Sequence, residues 1–277
     1  MLKVALTHDV DRIRKTYQYV TYPIKSLYKL NFEEFLYQSS SLFRKNPYWC
    51  FAKIIEIENE YKVKSTFFFL NEPIKFNLYK PSNWSLSLGR YKFSNFRLQN
   101  IIRFLDLNGW EIGLHGSYLS FNDLKLIKLE KFLLEKIIQH KINGIRQHYL
   151  NLSTKTWEYQ KNAGFLYDSS FGYTNEIGFK DKKFSPFFPL DNKFTVFPQI
   201  IMDSCYMNTK NRRKELSRIL DLSEEKDSIL VINWHQRSFN SKEFPGYTKQ
   251  YGFIIEECIK RNAIFKTLSE FLNETKN

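Results

Sequence analysis

Leu6-Thr7-His8-Asp9-Val10-Asp11 is the stretch whose reading decides the fold. Residues 3–6 read as a short buried strand, with Val4, Ala5 and Leu6 apolar. Two carboxylates and an imidazole follow where that strand should end. Strand C-termini are where α/β folds bind their ligands. Burying two acids there costs free energy unless a cation or strong donors offset it. The plainer reading is that Asp9 and Asp11 turn the chain or cap a helix. The rest of the chain bears on that choice.

Working outward, apolar runs of strand length recur at residues 65–70, 111–114, 144–146, 194–198 and 229–233. Helical patterns, with apolar residues three and four apart, lie between most of them at 54–61, 98–108, 123–140 and 213–222. The tail at 251–272 reads as helix, strand and helix. Strands alternating with helices over this length imply a parallel sheet, open or closed into a barrel. Two stretches interrupt the pattern as insertions. Residues 12–46 are tyrosine-rich and basic, and residues 71–96 are polar and irregular around Trp84. Long segments of this kind inside a compact domain are usually lids or functional loops.

With 277 residues, 43% hydrophobic, the chain is long enough for one large α/β domain spanning residues 1–277, and on this composition a folded chain is expected. The formal net charge of +13 attracts polyanions: nucleic acid, phosphorylated sugars or an acidic membrane face. The cationic residues are scattered and no nucleic-acid module is recognisable, so a solvated basic surface is expected and no nucleic-acid partner. Cys50, Cys205 and Cys258 form neither a zinc pattern nor a disulfide framework, which fits a reducing compartment. After Met1-Leu2-Lys3 no secretory leader is visible, and no run approaches a membrane span, so the cytoplasm is the expected location.

Polar clusters fall at the expected strand ends. Asp9 and Asp11 follow the first; His115-Gly116-Ser117-Tyr118, Arg146-Gln147-His148-Tyr149, Asp168-Ser169-Ser170 and Trp234-His235 follow later ones. Four of the five histidines sit in these clusters. In a parallel sheet they converge on one face. Carboxylate and imidazole together suit a divalent transition metal with an open coordination position, which acidifies a bound water and polarises a carbonyl. By strand alternation His8 points away from Thr7 and Asp9, toward packing or a supporting bond. Tyr149 and Trp234 read as wall residues against a sugar ring or as core. Asp168 reads as a chain turn or a substrate contact.

The ordered set Thr7-His8-Asp9-Val10-Asp11, Trp110-Glu111-Ile112-Gly113-Leu114-His115, Arg146-Gln147-His148-Tyr149 and the late strand ending at His235 resembles the motifs of the polysaccharide deacetylases. That is the NodB-homology group, carbohydrate esterase family four, and the resemblance runs from about residue 3 to about residue 270. It implies a distorted (β/α) barrel of about seven parallel strands and metal-dependent removal of an N-acetyl group from an amino sugar. Carried over by position, Asp9 is the general base, Asp11 and His115 are metal ligands, Arg146 orients the base and His235 is the general acid. One departure is clear. The family usually has a second metal histidine four residues after the first, and here that position is Leu119. Its third motif usually has proline where this chain has His148. A histidine lost from one motif and gained in another on the same face suggests that His148 replaces the missing ligand.

The expected protein is therefore a hydrolase holding zinc, with cobalt or nickel as alternatives. The substrate would be an amino sugar, contacted by Tyr149, Trp234 and Asp168, on a nucleotide- or lipid-phosphate-linked precursor in surface-polysaccharide synthesis. Two other readings stand beside it: an inactive sugar-binding or scaffold protein on the same fold, and a sugar deformylase. The tyrosine-rich insertion is either a packing face or a helix lying on an anionic membrane surface. The oligomeric state is not legible.

Overall fold

The computed structural model describes residues 1–275. Its strands are β1 (Lys3–Val10), β2 (Thr66–Leu70), β3 (Glu111–Gly116), β4 (Gly144–Gln147), β5 (Tyr167–Asp168), β6 (Thr195–Val196), β7 (Gln199–Met202), β8 (Ile229–Asn233) and β9 (Ile264–Phe265). The helices are α1 (Gln18–Tyr28), α2 (Phe32–Ser40), α3 (Phe51–Glu60), α4 (Trp84–Ser87), α5 (Phe96–Leu107), α6 (Leu124–Ile138), α7 (Thr156–Asn162), α8 (Asp203–Asn208), α9 (Arg212–Glu225), α10 (Tyr247–Lys260) and α11 (Leu268–Thr275). Neighbouring strands run parallel in the order β6-β5-β4-β3-β2-β1-β8-β7, and β9 pairs with the start of β1. The sheet curls into a half-barrel. A parallel bridge between Gly172 and Gln199 draws its two ends together, with Gln199 N–H donating to Phe171 O at 2.8 Å.

This is the distorted (β/α) barrel expected, with one difference. The run expected at 194–198 holds only β6, and a second strand not expected, β7, follows it after Phe197-Pro198. Proline has no N–H to continue a ladder, so the pairing partner changes there. The principal helices form where three- and four-residue spacing places them. Asn95 and Asp123 cap α5 and α6 by accepting the Leu98 and Leu126 N–H groups.

Residue parity sorts the sheet into two cores. Ala5, Phe68, Tyr167, Phe197 and Val231 point into the barrel, and Leu268, Phe271 and Leu272 of α11 close its base. Val4, Leu6, Phe67 and Phe69 point outward against α3 and α10. The interior is tight enough to require glycine at two places. A Cβ on Gly144 would lie 1.9 Å from the Tyr167 ring, and one on Gly113 would lie 2.6 Å from Phe68. Glu111, at the base, accepts hydroxyls from Thr66 and Tyr167 at 2.7 and 2.6 Å.

Parity also explains His8. It leaves the barrel side and meets Glu58 of α3 at 2.7 Å, its other nitrogen lying 2.7 Å from Trp234 O. Glu58 further accepts from Ser65, Trp110 and Tyr251, so the buried carboxylate is fully partnered. This network is structural and locks α3 and α10 to the sheet.

The first insertion is a helical hairpin, α1 and α2. The second contains α4, and the Arg12 guanidinium joins the two by donating to the carbonyls of Ser85 and Leu88. Among the described residues no helix is long and apolar enough to cross a membrane. The three cysteines are buried free thiols.

Candidate active site and metal centre

A cavity of about 370 Å³ opens at the C-terminal ends of the strands, lined by Asp9, Asp11, His115, His148, Tyr149 and His235 among others. Parity builds it. Asp9 follows Ala5 and Thr7 on the barrel side of β1. His115 follows Gly113 on β3, and His235 follows Val231 and Asn233 beyond β8.

Asp9 is held at both oxygens. Arg146 Nη1 donates to one at 3.0 Å and Asn233 Nδ2 to the other at 2.7 Å. Burial opposes ionisation of Asp9. The Arg146 charge, then His115 and His235, outweigh that and hold the carboxyl below its ordinary value. Arg146 is itself fully buried and fixed. It donates to Thr7 Oγ1 at 2.8 Å and to Ser169 O and Oγ at 2.9 Å each, and lies 4.5 Å from the Phe68 ring centroid. An unpaired guanidinium could not sit there, so Asp9 and Arg146 require each other.

Asp11, His115 and His148 place one ligand atom each within 4.8 Å of one another, all buried. His115 Nε2 lies 3.2 Å and His148 Nε2 3.8 Å from Asp11 Oδ1. Two ligands on one tetrahedral ion, with bonds of about 2.0–2.2 Å, sit roughly 3.3 Å apart. His115 Nδ1–H donates to Arg146 O at 2.9 Å, which leaves Nε2 as a lone pair facing Asp11. Asp11 Oδ1 is buried with no hydrogen-bond partner. Burial pushes His148 down to about 4, against the pull of Glu72 and Asp11, so its ring is neutral. Glu72 Oε2 lies 3.8 Å from His148 Nδ1. An orphaned carboxylate oxygen, a fixed imidazole and a neutral imidazole are the donor set a divalent ion takes, and the residues fit one. Two guanidiniums reach the same side chains: Arg237 Nη1 is 2.7 Å from Asp11 Oδ2, the other oxygen of that carboxylate, and Arg90 Nη2 is 3.3 Å from His148 Nε2.

His235 lines the cavity from the end of β8, the strand paired with β1. Asp203, at the start of α8, lies 2.9 Å from His235 Nδ1 and accepts the His235 backbone N–H at 3.0 Å. Burial disfavours the imidazolium, but Asp203 and then Asp11 outweigh it and push His235 up to about 9. His235 Nε2 points to the metal group, 3.7 Å from Asp11 Oδ2.

Two of the expected substrate contacts do not reach the cavity. Trp234 is fully buried on the outer side, with the rings of Tyr206, Tyr247 and Tyr251 at 6.2, 6.1 and 5.6 Å. Asp168 faces the outer layer as well. It accepts from Ser170 N at 2.9 Å, Trp157 Nε1 at 3.3 Å and Gln160 Nε2 at 3.4 Å, and burial pushes it up to about 6. Both follow from alternation: each is one residue out of step with an inward neighbour, Asn233 or Tyr167. Tyr149 does line the cavity, at 54% exposure. Leu119 is exposed and lies off the cavity. Sequence reading missed Asp203, Asn233, Glu72, Arg90 and Arg237. Asp203 alone had a signal, an acid directly after the apolar Ile200-Ile201-Met202.

No family model matches the sequence, and no curated protein does. Solved structures do. A protein assigned as a polysaccharide deacetylase from Mycobacterium smegmatis is 17% identical, with a TM-score of 0.62 over 99% of this chain and 90% of that one. One with the same assignment from Pseudomonas aeruginosa PAO1 is 12% identical, with a TM-score of 0.59 over 98% and 90%. The carbohydrate esterase family four domain of a multidomain xylanase from the hindgut metagenome of Trinervitermes trinervoides is 13% identical, with a TM-score of 0.50 over 100% and 92%. The chain has the fold of the polysaccharide deacetylases, the family its motifs resemble.

Proposed function

We propose that this chain is a metal-dependent hydrolase that removes an N-acyl group, acetyl first, from an amino sugar. One observation carries the reading: a carboxylate kept ionised by Arg146 and an imidazole kept protonated by Asp203 line the same cavity as Asp11, His115 and His148. Groups whose surroundings drive them to opposite protonation states are the mark of a base and an acid. A binding module needs neither.

A divalent ion held by Asp11, His115 and His148 would supply an acidified water and polarise the acyl carbonyl. Asp9 takes the proton of the attacking water as oxygen bonds to the carbonyl carbon. Arg146 and Asn233 keep its carboxylate oriented throughout. The Tyr149 backbone is held at φ +60°, a strained position for a tyrosine, beside the cavity. Its N–H is the donor we assign to the developing oxyanion. His235 Nε2 gives its proton to the sugar nitrogen as the C–N bond breaks, so amine and carboxylic acid leave.

Three guanidiniums support a substrate that carries phosphate. Arg12, Arg90 and Arg237 all line the cavity. Arg12 and Arg90 are bonded to backbone carbonyls, and Arg237 shares Asp11. Burial first, and then repulsion from the Arg90 charge, push Arg12 below its ordinary value. A phosphate group, nucleotide- or lipid-linked, would relieve that repulsion. This favours a glycan precursor over an uncharged polymer. Comparing KM for an acetamido sugar with and without a phosphate-bearing carrier tests it; equal values reject the phosphate subsite.

The sugar-binding reading without turnover has one observation on its side, since Arg237 and Arg90 already partner two of the three proposed ligands. Acetate release with zinc, cobalt or nickel separates the two.

A further inference from the structure

The α1–α2 hairpin is built inside out. In α1, Gln18, Pro23 and Ser26 are buried, while Val20, Ile24 and Leu27, four and three residues apart, face solvent. In α2, Gln38 is buried, while Phe32 and Leu36 are 65% and 66% exposed. Leu30, in the turn between the helices, is held at φ +53° and exposed. Beneath the hairpin lies the reason. The buried Lys15 ammonium is bonded to Gln38, Ser41 and Glu243 and lies 5.1 and 5.4 Å from the Tyr19 and Tyr22 rings. The inner face serves a buried cation, and these apolar residues turn outward. The tyrosines of the stripe divide accordingly: Tyr19 and Tyr22 pack around Lys15, whereas Tyr28 is exposed with the outward apolar residues.

The charge around this face is one-sided. Residues 12–46 hold seven lysines and arginines against Glu33 and Glu34. Lys25, Lys29, Arg44 and Lys45 are exposed. The second insertion repeats the composition, exposing Phe76, Leu78 and Tyr79 beside Lys75 and Lys80. Both insertions also border the cavity, through Tyr17 and Gln18 and through Ser85 and Arg90. Apolar and aromatic side chains rimmed by cations are what a helix needs to lie in a lipid headgroup layer. A second copy of the chain fits less well, because pairing two such faces would bring their lysines together.

We propose that the α1–α2 hairpin docks this protein on an anionic lipid bilayer. Val20, Ile24, Leu27, Leu30, Phe32 and Leu36 enter the interface, and the flanking lysines meet lipid phosphates. The docking stands apart from the catalytic reading. Where both hold, the cavity mouth lies at the membrane and the phosphate-bearing substrate is lipid-linked.

The test is co-sedimentation of the full chain with vesicles of phosphatidylcholine, alone or mixed with phosphatidylglycerol. Wild type is expected to sediment with the mixed vesicles. The triple variant Ile24→Asp, Leu27→Asp, Phe32→Asp is expected to bind at least about tenfold more weakly. The double variant Leu129→Asp, Phe132→Asp, altered at exposed residues of α6, is expected to bind as wild type. Circular dichroism establishes that both variants fold; if the triple variant does not, Lys25→Glu, Lys29→Glu takes its place, expected to weaken binding to the mixed vesicles. Wild type left in the supernatant with mixed vesicles overturns the proposal. So does a triple variant that binds undiminished, or a wild-type dimer, seen by sedimentation velocity, that the triple variant breaks while vesicles bind neither. Vesicle binding needs no substrate, so failure of docking and failure of the catalytic reading are separate results.

Discussion

Asp203 Oδ1 lies 2.9 Å from His235 Nδ1, and the other Asp203 oxygen accepts the His235 backbone N–H at 3.0 Å. One carboxylate thus fixes both the tautomer and the charge of the imidazole that lines the cavity with Asp9. Asp203→Asn removes the charge and keeps the shape. Burial then acts with less opposition and His235 loses its proton at lower pH. An acid works only while protonated, so the alkaline limb of the kcat profile is expected to move to lower pH, with roughly tenfold or greater loss near pH 8 and recovery on acidification. An unmoved limb would assign Asp203 to packing alone.

Arg146 is expected to be essential to stability as well as to chemistry. Arg146→Met leaves Asp9 buried without its cation, at a cost of about 3–5 kcal/mol near neutral pH. Asp9 in the wild type sits below its ordinary pKa, so its contribution is present at neutral pH and is lost as pH falls through that lowered value. In the variant burial dominates and the carboxyl takes up a proton more readily. The stability gap should therefore narrow on acidification, as urea titrations across pH would report. A constant gap would point to packing loss only.

His148→Ala is expected to lower metal affinity by about tenfold or more, whereas Leu119→Ala should leave it unchanged. Metal content after dialysis against a weak chelator measures both. Unchanged content in His148→Ala would reduce the site to two protein ligands, Asp11 and His115.

Glu130 offers a pH test away from the cavity. It is buried, accepts Ser117 N–H at 3.1 Å, and burial pushes it up to about 8. A raised carboxyl favours folding while protonated, so its contribution is full below about pH 4.5 and is lost as pH rises through about 8. Glu130→Gln should flatten that loss, making the variant the more stable form above pH 8 by on the order of 2–4 kcal/mol. Thermal unfolding at several pH values checks it; parallel curves would contradict the assignment.

Much of this protein is legible in its sequence because two periods dominate it. Period-two alternation puts Asp9, His115 and His235 on one side of the sheet and His8 on the other, and three- and four-residue spacing marks α3, α5, α6 and α9. The same alternation, applied through Trp234 and Asp168, would have turned both away from the cavity; adjacency to polar neighbours pulled the reading the wrong way. Asp203 was hidden because Pro198 splits β6 from β7, so the strand that presents it was not recognised. Arg90 and Arg237 come from irregular segments, where no periodic signal assigns a direction. The outward apolar face of α1 was unreadable because its cause, the buried Lys15, is a tertiary contact.

If Asp9 is the base of an N-deacylase, its carboxylate is needed for turnover and not for metal binding. Wild type and Asp9→Asn are loaded in parallel with zinc, cobalt or nickel. Their metal content is determined, and acetate and formate release from acylated amino sugars, free and phosphate-linked, is followed. Wild type is expected to turn over with at least one metal, and the variant to hold an equal metal content. Release by the variant should fall about 10²–10⁴-fold. Release that survives Asp9→Asn, or a metal-loaded wild type inert toward every such substrate, would contradict that role for Asp9.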